Sequence, residues 1–129
     1  MNKFQKLSLL LTGFIFIAAC TEDIDSNDVL ILGKWNWIES IGGFGGWTLT
    51  PESEGYSQLL KITNTHFSHY VGDSLVFESD YSYRFDTLYG QPEYLEFKSG
   101  GAIAVQFSHK RLELIESCDD CYTLYFERK

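Results

Sequence analysis

Between Leu75 and Phe85 every second residue belongs to one set, Leu75, Phe77, Ser79, Tyr81, Tyr83 and Phe85, which is apolar or aromatic with a single serine. The alternate positions are Val76, Glu78, Asp80, Ser82 and Arg84, mostly polar. Successive side chains on a pleated strand point to opposite faces, so this spacing builds one apolar and one wetted face, whereas a helix would scatter the same residues around its circumference. Similar runs cover Trp35 to Ile38, Tyr56 to Ile62, Phe67 to Val71, Tyr94 to Phe97, Ile103 to Phe107, Leu112 to Ile115 and Tyr122 to Phe126. They are rich in the aromatic and β-branched residues that suit a half-buried sheet. Turn signals lie between them: Asn64-Thr65, Gly72-Asp73, Gly90-Gln91-Pro92, Gly100-Gly101, His109-Lys110 and Asp119-Asp120. Together they predict eight strands near 32–40, 56–63, 66–71, 74–87, 93–99, 102–108, 111–117 and 122–128. The fourth is long for one strand and is expected to bend near Ser79-Asp80. No stretch carries a helical period.

Short turns constrain the topology, because a Greek key needs at least one long return connection while hairpins in series give a meander. Eight meandering antiparallel strands with one apolar face close most naturally into an up-and-down barrel, which removes exposed edges. A two-sheet β-sandwich is the alternative. The exception to short turns is Ser40 to Gly55, containing Ile41-Gly42-Gly43-Phe44-Gly45-Gly46-Trp47. Long loops in compact domains are often lids or binding loops. Phe44 and Trp47 either offer aromatic surface to a ligand or fold inward as a plug.

At 129 residues the chain has room for one core, and its 44% apolar content is too high for a disordered chain. Its formal charge of −8 and the lack of a basic stripe argue against nucleic acid as a partner. The first 19 residues stand apart: Lys3 and Lys6 precede an uncharged run from Leu7 to Ala19, too short to span a bilayer and read as a secretory signal. Ile17-Ala18-Ala19-Cys20 resembles a bacterial lipobox. That resemblance implies lipidation of Cys20 as the first mature residue, with acyl chains such as palmitate holding the chain to a membrane of the cell envelope, most simply the outer membrane. Residues 20–31 then form an acidic tether carrying Glu22, Asp23, Asp25 and Asp28, and 32–129 form the folded domain. The same acids loosely resemble the surface-export signals of some lipoproteins. Loss of Lys3 and Lys6 leaves 8 basic against 18 acidic side chains, so the mature charge is −10.

Gly33-Lys34-Trp35 at the head of the first strand, after Val29-Leu30-Ile31-Leu32, resembles the Gly-x-Trp signature of lipocalins. The mature chain as a whole is similar to small lipocalin-like bacterial lipoproteins. The resemblance implies a barrel closed at one end by Trp35 beneath a basic side chain near the last strand. Arg128, which shares parity with Leu124 and Phe126, is the candidate for a cation-π contact with Trp35.

Chemistry-bearing patterns are sparse. His66 and His69 sit three apart and face opposite ways on a strand, and His109 lies in a turn, so no metal site is expected. There is no Gly-x-Ser-x-Gly elbow, no phosphate-binding glycine loop and no convincing acid pair, so neither catalytic residues nor a cofactor are assigned. Cys118 and Cys121 form an even pair once Cys20 is set aside, favouring a local disulfide in an oxidising compartment over redox or zinc chemistry. Two aspartates between the sulfurs would disfavour a reactive thiolate.

Two functions follow as expectations. In the first, the barrel binds a small apolar or amphipathic molecule, with Trp37, Phe77, Tyr81, Tyr83, Phe85, Phe97 and Phe107 as interior contacts and Phe44 and Trp47 over the mouth. An interior so rich in rings either fills itself or leaves room for one small ligand. In the second, the acidic barrel binds or inhibits a basic envelope or host protein, the charge steering the encounter.

Overall fold

The computed structural model describes residues 30–85 and 93–129. The signal segment, Cys20, most of the tether and the Gly90-Gln91-Pro92 turn lie outside the described residues. Strands β1 (Gly33–Gly42), β2 (Trp47–Leu49), β3 (Gln58–Ile62), β4 (His66–Val71), β5 (Ser74–Phe85), β6 (Glu93–Phe97), β7 (Ala102–Ser108), β8 (Arg111–Ile115) and β9 (Tyr122–Arg128) form one antiparallel sheet. Each neighbour pair from β3 to β9 is consecutive in the chain, and β1 pairs with both β3 and β9. Eight strands therefore close into an up-and-down barrel, and β2 is a short flap folded back on the upper half of β1. The sandwich alternative is excluded by the β1–β9 ladder, which runs from Trp35↔Arg128 to Gly42↔Tyr122.

Two features of the chain depart from strict alternation. A bulge in β1 between Trp37 and Glu39 inserts one residue, so Trp35 and Trp37 face inward, Ser40 takes the next inward place and Ile41 is turned out. Trp37 Nε1 donates to Ser40 Oγ at 2.9 Å, which satisfies both buried polar groups. A second bulge lies between β4 and β5, where His69 pairs with Phe77 but Tyr70 pairs with Leu75. Leu75 and Val76 are consequently exposed although Leu75 has the parity of the core. β5 is continuous; near the residues expected to bend, its pairing passes from β4, last at Asp80, to β6, first at Tyr81.

A helix absent from the sequence reading, α1 (Pro51–Glu54), follows the flap. Its signals are local: Thr50 Oγ1 accepts from Ser53 N, Ser53 Oγ accepts from Thr50 N, Pro51 opens the first turn and Gly55 ends it in the left-handed region. One turn is too short to show a 3.6-residue period, so only the capping chemistry marks it.

The barrel has one filled and one hollow end. Trp35, Phe126, Leu60, Leu112, Leu95 and Ile31 are fully buried and occupy the interior on the side where the chain enters. Ile31, placed by its sequence at the end of the tether, is 1% exposed and part of this core, so the folded unit begins before residue 32. The reason is a clamp. Arg128 lies over the Trp35 ring with its guanidinium carbon 4.3 Å from the centroid, and its two terminal nitrogens donate to the carbonyls of Leu32 and Leu30, each at 2.7 Å. Trp35 Nε1 donates to the carbonyl between them, Ile31, at 2.7 Å. Three consecutive peptide carbonyls that would otherwise face a closing core are thereby satisfied. Gly33 is required next to them: its φ is +126°, and an added Cβ would lie 2.8 Å from Arg128 Nη1.

The clamp predicts its own perturbations. Arg128→Ala is expected to lower unfolding stability by about 1–2 kcal/mol, allowing for the exposure of the guanidinium, with Arg128→Lys restoring only part because it offers no fork. Gly33→Ala is expected to cost about 2 kcal/mol through strain and displacement of the guanidinium. Urea unfolding followed by tryptophan fluorescence measures all three; an unchanged midpoint in both Arg128→Ala and Gly33→Ala would contradict the clamp.

Candidate functional site

The loops at the end opposite the clamp connect β1 to β3, β4 to β5, β6 to β7 and β8 to β9. Beneath them the interior opens into a cavity of about 420 Å³. Phe67, Phe77 and Phe97 form its aromatic wall, Ile103, Leu114 and Leu124 its aliphatic one. The three phenylalanines contact one another pairwise, with centroids 5.0 to 6.1 Å apart and tilted or edge-on planes. Edge-to-face packing holds such a group in place and leaves little freedom for any ring to swing into the space.

The space is open because of what borders it. Gly100, Gly101 and Ala102 line the cavity between β6 and β7 and bring almost no side-chain volume. Gly100 and Gly101 have φ of +111° and +85°, the left-handed region that favours glycine. The loop is fastened rather than loose: Ser79 Oγ, from the one serine in the apolar set of β5, accepts from Ser99 N at 3.1 Å and donates to the Asp80 carbonyl at 2.8 Å, and Lys98 N donates to that carbonyl at 2.9 Å. A serine at an inward position was the available signal for this anchor, since a buried hydroxyl needs a partner.

On the far side the rim is made by the β8–β9 loop. Cys118 and Cys121 are bonded, with α-carbons 5.2 Å apart. Tyr122 N donates to Glu116 Oε2 at 3.0 Å, and Glu116, Ser117 and Cys121 line the cavity. Gly42 lies against this loop so closely that a Cβ would meet the Cys121 carbonyl oxygen at 2.3 Å. The first glycine pair therefore permits a close approach between β1 and β9, and the long Ser40–Gly55 connection is built as the β1–β2 hairpin followed by α1.

The aromatic candidates divide into three groups. Phe77 and Phe97 line the cavity. Trp37, Tyr81, Tyr83 and Phe107 belong to the packed interior: Trp37 is stacked on Tyr56 at 5.8 Å, Phe107 meets Trp35 edge-on at 5.9 Å, Tyr81 Oη donates to the Thr63 carbonyl at 2.6 Å and Tyr83 Oη to Glu93 Oε2 at 2.7 Å. Phe44, Trp47 and Phe85 are 95%, 66% and 65% exposed. Phe85 has the right parity but lies at the far end of β5, past the core. Phe44 sits at the tip of the β1–β2 hairpin, and Trp47 packs back on Gly45, where an added Cβ would meet its indole. Neither lines the cavity, and at that exposure neither is a plug. Phe67 and His69 line the cavity and were not chosen from sequence, although β4 shares the period that marks its neighbours.

His66 and His69 do face opposite ways. His66 is on the outer surface, Nδ1 2.9 Å from Asp80 Oδ1 and Nε2 3.3 Å from Glu78 Oε2. The bond to Asp80, then that to Glu78, raises its pKa, while His66, aided by Lys98, holds Asp80 below the usual carboxylate range. His69 faces the cavity with Nε2 2.8 Å from Gln58 Oε1, and burial pushes its pKa down. Among the described residues no group of three His, Cys, Asp or Glu is arranged to hold a metal ion. Comparison with protein-family models, curated proteins and solved structures finds no match.

The two histidines predict opposite pH dependences. The raised folded pKa of His66 gives a contribution that is complete below the unfolded value of about 6.5 and fades as pH rises through the folded one. Asp80 contributes above its unfolded value of about 3.9 and loses this as pH falls through its depressed folded value, so the outer pair is fully formed between about pH 4 and 6.5. His69, depressed, stabilises fully above about pH 6.5 and is lost on acidification. The penalty of His66→Gln in urea unfolding should therefore shrink between pH 6 and pH 9, and His69→Gln should flatten the stability loss between pH 7 and pH 5.

Proposed function

We propose that this chain is a lipid-anchored, lipocalin-like binding protein of the bacterial envelope whose barrel holds one small apolar or amphipathic molecule in the cavity under the β6–β7 and β8–β9 loops. The observation that carries the reading is the cavity itself: at about 420 Å³, with mostly apolar walls and a few polar groups at its rim, it falls in the range of small-ligand sites, about 300–1,000 Å³. A fully packed eight-stranded barrel would have no such space. Binding rather than catalysis is supported by the character of the walls. The polar groups that border the space, His69, Ser117 and Glu116, do not form a nucleophile with its base.

The Gly33-Lys34-Trp35 signature and the Arg128 clamp support the lipocalin-like part of the proposal. The Ile17-Ala18-Ala19-Cys20 motif supports the anchor. The chain enters the barrel at the filled end, so a tether from Cys20 would hold that end toward the membrane and leave the mouth facing away. A second reading, a protein partner at the mouth, draws on the exposed Phe44 and Trp47 at the β1–β2 hairpin beside acidic loops.

The test is a titration of the full chain with the neutral fluorophore N-phenyl-1-naphthylamine. The expected result is a saturable emission increase at one site per chain that is lost in Ile103→Trp, where an indole fills the cavity, and kept in Phe44→Ser. Binding unaffected by Ile103→Trp, with the variant folded by circular dichroism, would overturn the cavity as the site.

A further inference from the structure

Charge is distributed unevenly along the barrel axis. The loops around the mouth carry Glu52, Glu54, Asp73, Glu116, Asp119 and Asp120, against Lys98 alone among bases, and Lys98 is paired with Asp80 at 3.7 Å. The filled end carries Lys34, Lys110, Arg111, Arg128 and Lys129 at or near the strand ends, against Glu93 and Glu127 among the described acids there, and Arg111 is paired with Glu39 at 3.7 Å. A ligand approaching the cavity therefore crosses a field of one sign, and low-dielectric walls focus it into the opening.

The lining continues the same asymmetry. Among the described residues that border the cavity there is no lysine or arginine, and the one formal charge is the Glu116 carboxylate. One Glu116 oxygen accepts from Tyr122 N, which holds the carboxylate at the rim on the disulfide loop. His69 brings no positive charge at neutral pH, since burial disfavours its protonation and its ring already faces Gln58. A fatty carboxylate entering this space would lose water and find no cation, beside a fixed like charge. An ammonium or guanidinium would meet the carboxylate at the rim while its apolar portion lies against Phe67, Phe77 and Phe97. A ring face turned to the head group would favour a cation over an anion.

We propose that the cavity selects amphipathic cations, molecules with an apolar body of modest length and a single amine-type head, and that Glu116 at the rim is the residue that seats the head. The inference rests on the cavity being the ligand site, and it adds the sign of the ligand's charge.

Isothermal titration calorimetry of the full chain with octyltrimethylammonium, 1-octanol and octanoate at low salt separates the two levels. The expected order is the cation tightest, about tenfold or more over octanoate, with octanol between, the gap narrowing at 0.5 M salt as charges are screened. Glu116→Gln keeps a carbonyl to accept from Tyr122 N, so the loop persists; it should bring the cation to within about threefold of octanol and leave octanol itself unchanged. Equal binding of all three probes would overturn charge selection while leaving the small-ligand reading in place. A cation preference that survives Glu116→Gln would overturn the assignment to that residue. Binding of none of the three would overturn both.

Discussion

The barrel depends on the ladder between its first and last strands, and that ladder is secured at its outer end by Arg128. Closing a sheet into a cylinder brings the entering chain across the filled end of the cylinder, where its peptide groups lose water and must find other partners. Here the carbonyls of Leu30, Ile31 and Leu32 are taken in turn by Arg128, Trp35 and Arg128 again. The planar guanidinium suits this because it reaches two carbonyls with two nitrogens while its face rests on the indole. Gly33 leaves the space that the guanidinium needs. One residue from the end of the chain and five from its folded beginning thus make a single joint, and Ile31 is drawn into the core as a result.

The joint also explains why the two ends of the interior differ. Near it, Trp35, Leu60, Leu112 and Phe126 come from strands that are adjacent in the closed sheet, and their volumes fill the section. At the other end the section is bordered by Gly100, Gly101 and Ala102, and the rings of Phe67, Phe77 and Phe97 brace one another against the wall. The cavity is the consequence of small residues beside a self-supporting aromatic group. The loops that frame it are pinned by Ser79 on one side and by the Cys118–Cys121 bond and Glu116 on the other, so its shape is built into the folded state.

Charge divides along the same axis. The loops at the open end carry six carboxylates against Lys98, while at the filled end five bases outnumber Glu93 and Glu127, an imbalance that the net charge of −8 conceals. A protein tethered through its N-terminal segment would keep its basic end nearer a membrane and its acidic, hollow end toward solvent. In that proposed arrangement orientation and ligand selection would draw on one charge pattern.

Strand positions were legible in the sequence because a period of two is a local property: the eight main strands and their hairpin turns follow from residues within a few places of each other, and short turns in series imply a meander that closes. The aromatic residues of β5 show where such reading stops. Phe77, Tyr81, Tyr83 and Phe85 share one parity, yet one lines the cavity, two are packed and bonded in the interior and one is exposed. Parity decides the face of the sheet but not the height along the barrel, and height depends on the stagger between strands that are distant in sequence. The bulges at Ile38 and Val76 likewise reverse parity where the partner strand demands one residue fewer. The local pattern by itself determined the class of fold and its strands, and the resemblance of Gly33-Lys34-Trp35 to a lipocalin signature implied the contact between Trp35 and a basic residue near the end. Only the closed structure decided which end is hollow, that Phe67 and His69 border the hollow, and that six acids surround its opening, because those relations exist only once remote strands are brought side by side.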